Sequence, residues 1–171
     1  DILWFMPIQP IGKLNRKGGM GSYYSISDYE AVNTDFGSLE DFNRIVETAH
    51  SLGMKVILDW VANHTSWDHP WISSHPEWYS QNANGQIIIP PGTNWNDVAD
   101  LNFNQAAMRA QQIADMKYWI LEANVDGFRC DYADGVPFDF WSEAISALKS
   151  LNKRDVLVLA EGARSDHYQA G

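Results

Sequence analysis

The chain opens on an unbroken apolar run, Ile2 to Ile8, closed by Pro7 and Pro10. A run without polar alternation is what a parallel strand buried on both faces requires. A helical period follows a Gly-rich stretch: Leu39, Phe42, Ile45, Val46 and Ala49 fall on one face. Ser38 caps this helix with Asp41 at the third helical position, and Gly53 ends it. Lys55 to Trp60 reads as the next strand. A second helical stripe holds Ile113, Met116, Ile120 and Ala123, and the strand Val125 to Asp131 comes after it. Pro137 opens a third helix with Phe138, Trp141, Ile145 and Leu148 in one stripe, and Asp155 to Glu161 is the last strand.

Residues 65–104 break this rhythm. They are rich in Trp, His, Pro, Asn and Gly and too long for an ordinary β/α loop. Asp59 and Asp131, both at strand ends, are 72 positions apart, whereas Asp131 and Glu161 are 30 apart. The shorter spacing is one β/α unit of roughly 30 residues; the longer is such a unit plus an excursion of about 40. The pattern predicts an α/β fold, a partial (β/α)8 TIM barrel holding strands two to five. On this reading residues 1–64 carry strands two and three, residues 65–104 are inserted after the third strand, and residues 105–171 carry strands four and five. The chain starts directly on a strand, which places the expected N-terminus of the protein upstream and leaves cellular location unread.

Composition narrows the partners. A formal charge of -10 lacks the basic footprint that nucleic acid or an anionic membrane surface requires. No apolar run approaches the roughly 18 residues of a membrane span. Cys130 is the single cysteine, which excludes an internal disulfide. Eight Trp suit a cleft in which flat rings meet the C–H faces of sugars.

Candidate chemistry sits at the strand ends. Alternation puts Arg129 and Asp131 on one face of their strand and Phe128 and Cys130 on the other. A guanidinium beside Asp131 keeps that carboxylate ionised, as a nucleophile needs; a purely structural ion pair is the competing reading. Glu161 ends the apolar run Val156 to Ala160. An apolar setting and the charge of Asp131 would hold it protonated, ready to donate, unless it merely binds an Arg or a helix end. His64 could take a sugar hydroxyl, a metal, or neither. The Asn63-His64-Thr65 sequon is discounted, because a glycan there would plug the barrel mouth. Gly18-Gly19-Met20-Gly21 lacks the Lys-Ser/Thr ending of a phosphate loop, and no dinucleotide fingerprint or zinc helix occurs.

Three segments together resemble the α-amylase family of glycoside hydrolases. Asp59…Asn63-His64 matches its Asp-x-x-x-Asn-His motif, Gly127-Phe128-Arg129-Cys130-Asp131 matches Gly-Phe-Arg-x-Asp, and Glu161 stands where the third motif places its acid. Tyr24 through Asp28-Tyr29 resembles the segment carrying a stacking Tyr, and Asp100-Leu101-Asn102 resembles the end of the family's inserted domain B. The resemblance implies Asp131 as nucleophile, Glu161 as general acid/base, and Tyr24, Asp59, His64 and Arg129 around the substrate. It further implies a calcium ion on Asn63 and Asp100, by analogy an extracellular or periplasmic address, and no organic cofactor. Gly135 and Asp134 depart from the usual His and Lys on the leaving-group side.

The implied activity of the full-length protein is retaining hydrolysis of α-glucosidic bonds in starch-like glucans and maltooligosaccharides, with the two acids about 5–5.5 Å apart. An α-1,6-glucosidase, a transglycosylase, or an inactive sugar- or partner-binding relative is the alternative. The family's third carboxylate belongs to a motif beyond Gly171, so these 171 residues alone are expected to be inactive.

Overall fold

The computed structural model describes residues 1–151 and 155–170, so 152–154 and 171 of the last expected segment lie outside the described residues. Four α-helices and six strands follow one another among the described residues: β1 (Ile2–Phe5), α1 (Leu39–Ser51), β2 (Lys55–Trp60), β3 (His64–Ser66), α2 (Trp71–Ser74), β4 (Val98–Asp100), α3 (Ala106–Glu122), β5 (Gly127–Cys130), α4 (Phe138–Lys149) and β6 (Leu157–Ala160). The main sheet has the order β1-β2-β5-β6, and every pairing in it is parallel. β3 and β4 form a separate antiparallel pair outside the main sheet, with His64 opposite Asp100.

Each helix forms where its apolar stripe meets this sheet. The cap of α1 is a reciprocal box: Ser38 Oγ accepts from the Asp41 N–H at 3.1 Å, and Asp41 Oδ2 accepts from the Ser38 N–H at 2.8 Å. Such a cap contributes about 1 kcal/mol. Phe42, Val46 and Ala49 of α1, Met116, Trp119 and Ile120 of α3, and Phe140, Ile145 and Leu148 of α4 are buried in one core with Val56, Leu58, Trp60, Phe128 and Cys130. The Trp119 indole donates to the Tyr29 carbonyl at 2.7 Å, so even the largest core side chain has its polar atom satisfied.

The opposite sheet face is different. Register aligns Trp4, Ile57, Gly127 and Leu157 in one row and Asp59, Arg129 and Leu159 in the next. Gly127 has a φ of +157°, and a Cβ there would lie 1.8 Å from the Leu157 carbonyl oxygen. Only glycine lets β5 and β6 approach this closely.

The first strand departs from expectation. It stops at Phe5, and Ile2 and Trp4 are about half exposed rather than buried on both faces. The helices cover one face only, and four strands leave the other open. β6 shows the same asymmetry, with Leu159 exposed.

Candidate active site

The site is built where β2, β5 and β6 end. Parity along β5 sends Phe128 and Cys130 into the helix-side core and turns Arg129 to the open face, toward Asp59 of β2. Asp131 follows immediately and Glu161 ends the run of β6. The Arg129 guanidinium is the hub. Its Nη1 donates to Asp59 Oδ1 and to Asp131 Oδ1, both at 2.9 Å, and its Nη2 lies 2.8 Å from Glu161 Oε1. Its plane also lies over the Trp4 ring, 5.1 Å from the centroid. Three carboxylates from three strands thus meet on one cation, whose own proton is held well above the ordinary Arg range by Asp59 and its neighbours against the cost of burial.

The surroundings shape each acid differently. Asp59 is fully buried; burial raises its pKa, and Arg129 with donors from Trp4 and Tyr24 works against the rise. The Trp4 indole and the Tyr24 hydroxyl each donate to Asp59 Oδ2 at 3.3 Å. Asp131 is pushed up to about 7, first by burial and then by the Asp59 charge, against the pull of Arg129. The expectation that Arg129 simply keeps Asp131 ionised is corrected by this sharing. Glu161 also differs from expectation. Its side chain is 53% exposed, not set in an apolar pocket, and its Oε2 accepts the Tyr132 backbone N–H at 2.8 Å. Tyr132 reaches that position in the left-handed region, φ 42° and ψ 47°, which costs a non-glycine residue about 1–2 kcal/mol.

A cleft of about 480 Å³ lies over these acids, lined by Tyr24, His64, Arg129, Asp131 and Glu161 among others. His64 is buried beside Trp95, ring centroids 5.5 Å apart, and burial drops its pKa to about 4. It is therefore a neutral hydrogen-bonding group at ordinary pH, and its partners include the Tyr24 backbone. Lys17, Ser22, Trp95, Asp97 and Tyr132 also line the cleft and were not singled out by sequence reasoning. Trp95 was the most legible of them, as one aromatic of a Trp-rich insertion. Lys17 and Asp97 carry no local signal, because they meet only through the fold.

Asn63 and Asp100 are not among the residues that line this cleft. The Leu101 N–H donates to the Asn63 carbonyl at 3.1 Å, which joins the end of β4 to the start of β3. Asp100 is buried and pushed up to about 6 by that burial, with a Ser80 hydrogen bond working the other way. The Asn63 amide nitrogen contacts His64 Nδ1 at 3.3 Å, and a Cβ on Gly135 would come within 2.7 Å of Asn63 Oδ1. Among the described residues no group of three or more His, Cys, Asp or Glu side chains is arranged to hold a metal ion.

Comparison with known proteins gives this geometry its context. The family described as alpha amylase, catalytic domain, matches residues 1–97. An alpha-1,4-glucan:maltose-1-phosphate maltosyltransferase from Cereibacter sphaeroides is 35% identical over 94% of this chain and 30% of its own length. Alpha-amylase 3 of Dictyoglomus thermophilum is 34% identical over 93% of the chain and 35% of its own. The solved structure of an alpha-amylase from Lactobacillus plantarum superposes with a TM-score of 0.90 at 45% identity, covering 99% of this chain and 39% of that one. The chain thus spans about a third of the length of these relatives, and its four-stranded parallel sheet is part of their (β/α)8 barrel. With the family match, the relatives and the acid-bearing strand ends in agreement, the chain belongs to the α-amylase family.

Proposed function

We propose that the full-length protein hydrolyses α-glucosidic bonds of starch-like glucans with retention of configuration. The observation that carries this reading is the single guanidinium that holds Asp131 and Glu161 over one cleft. Asp131 attacks the anomeric carbon, and the bond to the leaving oxygen breaks as Glu161 gives that oxygen its proton. The glycosyl ester on Asp131 is then opened by water, whose proton returns to Glu161. Tyr24 offers a face to the sugar ring beside the reacting bond, and neutral His64 a hydrogen bond to a hydroxyl. Asp59 sets the charge felt by Asp131.

The test measures reducing ends released from starch. Asp131→Asn removes the nucleophile and is expected to abolish turnover. Glu161→Gln removes the proton donor and is expected to lower the rate by about 10²–10⁴-fold, with partial recovery on α-glucosyl fluoride, whose leaving group needs no proton. Full activity in either variant contradicts the mechanism.

A second reading is transfer of a maltosyl unit from a phosphorylated donor, favoured by the similarity to the Cereibacter maltosyltransferase. Phosphate released from maltose-1-phosphate with elongation of a glucan would identify it.

We also propose that Asn63 and Asp100 would hold a calcium ion. Hard oxygen donors suit that ion. Asp100 is buried, and the Leu101 N–H bonded to the Asn63 carbonyl at 3.1 Å holds the end of its strand against Asn63, which supports the reading.

A further inference from the structure

Lys17 Nζ lies 2.9 Å from Asp97 Oδ1. Asp97 is nearly fully buried, whereas the Lys17 side chain is half exposed. Both side chains line the cleft that holds Asp131 and Glu161. The pair is held from both sides. The Ser25 hydroxyl donates to the Asp97 carbonyl at 3.1 Å, and the Ser25 carbonyl takes the Gly12 N–H at 2.8 Å. The backbone N–H groups of Lys13 and Leu14 both donate to Asp68 of the insertion, at 2.8 and 3.3 Å. The loop after β1 is therefore fastened to the insertion at two separate points, with Lys17 between them.

Position along the sheet gives this pair a direction. Lys17 and Tyr24 belong to the loop following β1, the edge strand farthest from β6. Glu161 belongs to β6 and, in the mechanism above, stands by the leaving oxygen. On that mechanism the end of the cleft reached by the β1 loop, opposite Glu161 in strand order, is the glycone end. The chemistry of the Lys17–Asp97 pair suits that place. A carboxylate accepts from two vicinal hydroxyls, an ammonium donates to sugar oxygens, and such charge-assisted bonds are the strong ones. An ion pair with one half-exposed partner adds little to stability, so folding alone explains this one poorly.

We propose that Lys17 and Asp97 form a specificity site for the second sugar of the glycone, the unit next to the one that reacts. The inference rests on the proposed glycosidase function. Its test compares full-length wild type with Lys17→Met and Asp97→Asn on α-glucosyl fluoride and α-maltosyl fluoride, donors with one and two glycone sugars. The expected result is that the kcat/KM preference for the maltosyl donor falls at least about tenfold, the worth of one hydrogen bond to a charged group. A preference kept within about twofold in Lys17→Met overturns the proposal, whatever the absolute loss. Lys17 is half exposed, so that variant still reports if Asp97→Asn does not fold. A wild type that turns over neither fluoride and releases no sugar from starch overturns instead the glycosidase reading, and this inference with it.

Discussion

Asp59→Asn isolates the electrostatic coupling at the centre of the site. The substitution removes a charge but keeps an oxygen to accept from the Trp4 indole and the Tyr24 hydroxyl. Oxygens of Asp59 and Asp131 both lie 2.9 Å from the same Arg129 nitrogen. Two unit charges about 5 Å apart at an effective dielectric of about 20 repel by roughly 3 kcal/mol. That energy corresponds to about two pKa units. Asp131 is raised to about 7 by burial first and by Asp59 second, so removing Asp59 lowers it. Arg129, freed from Asp59, pulls in the same direction. In the proposed mechanism Asp131 must be ionised to attack, so activity rises with pH through its pKa. The acidic limb of kcat/KM against pH is therefore expected to move about one to two units toward lower pH in Asp59→Asn, even where the plateau falls because substrate is held less well. The assay is initial-rate hydrolysis of maltooligosaccharide by the full-length protein across the acid range. A limb that stays in place, or moves toward higher pH, refutes the coupling.

Two further outcomes follow from the geometry. Gly127→Ala puts a methyl group into the Leu157 backbone carbonyl, where the neighbour cannot move without parting β5 from β6, so destabilisation above about 4 kcal/mol is expected in denaturant titrations of the full-length protein; a loss under about 1 kcal/mol would contradict the close approach. For the calcium proposal, equilibrium dialysis is expected to find an ion that Asp100→Asn releases, and saturation at 100 times the dissociation constant to stabilise the protein by about 2.7 kcal/mol; equal binding in wild type and variant would remove Asp100 from the shell.

Much of the architecture was legible because it repeats at short range. The stripe of α1 and the box of Ser38 with Asp41 are local patterns; the box is present as read, and of the stripe Phe42, Val46 and Ala49 are buried while Ile45 is left exposed on the stripe's edge. Parity along one strand was enough to separate Arg129 from Phe128 and Cys130. Burial of β1 was misjudged for a reason of the same kind: an apolar run states a preference for burial, but not how many neighbours are there to provide it. The acids were found individually, yet their electrostatics were not. The resemblance places Asp59 around the substrate, whereas in space it is the third claimant on Arg129 and the second cause of the raised Asp131. Contacts between distant loops left no trace in the local pattern. Lys17 and Asp97 are 80 positions apart, and neither stands in a periodic segment.

The forked contact of Arg129 has a consequence for the catalytic cycle. In the proposed mechanism Asp131 ceases to be an anion as its ester to the sugar forms, at the moment Glu161, having surrendered its proton, becomes one. The guanidinium touches both, one through each terminal nitrogen. Negative charge is handed from one tine of the fork to the other while the sum stays constant, so the cation has no need to swing between partners as the sugar changes hands.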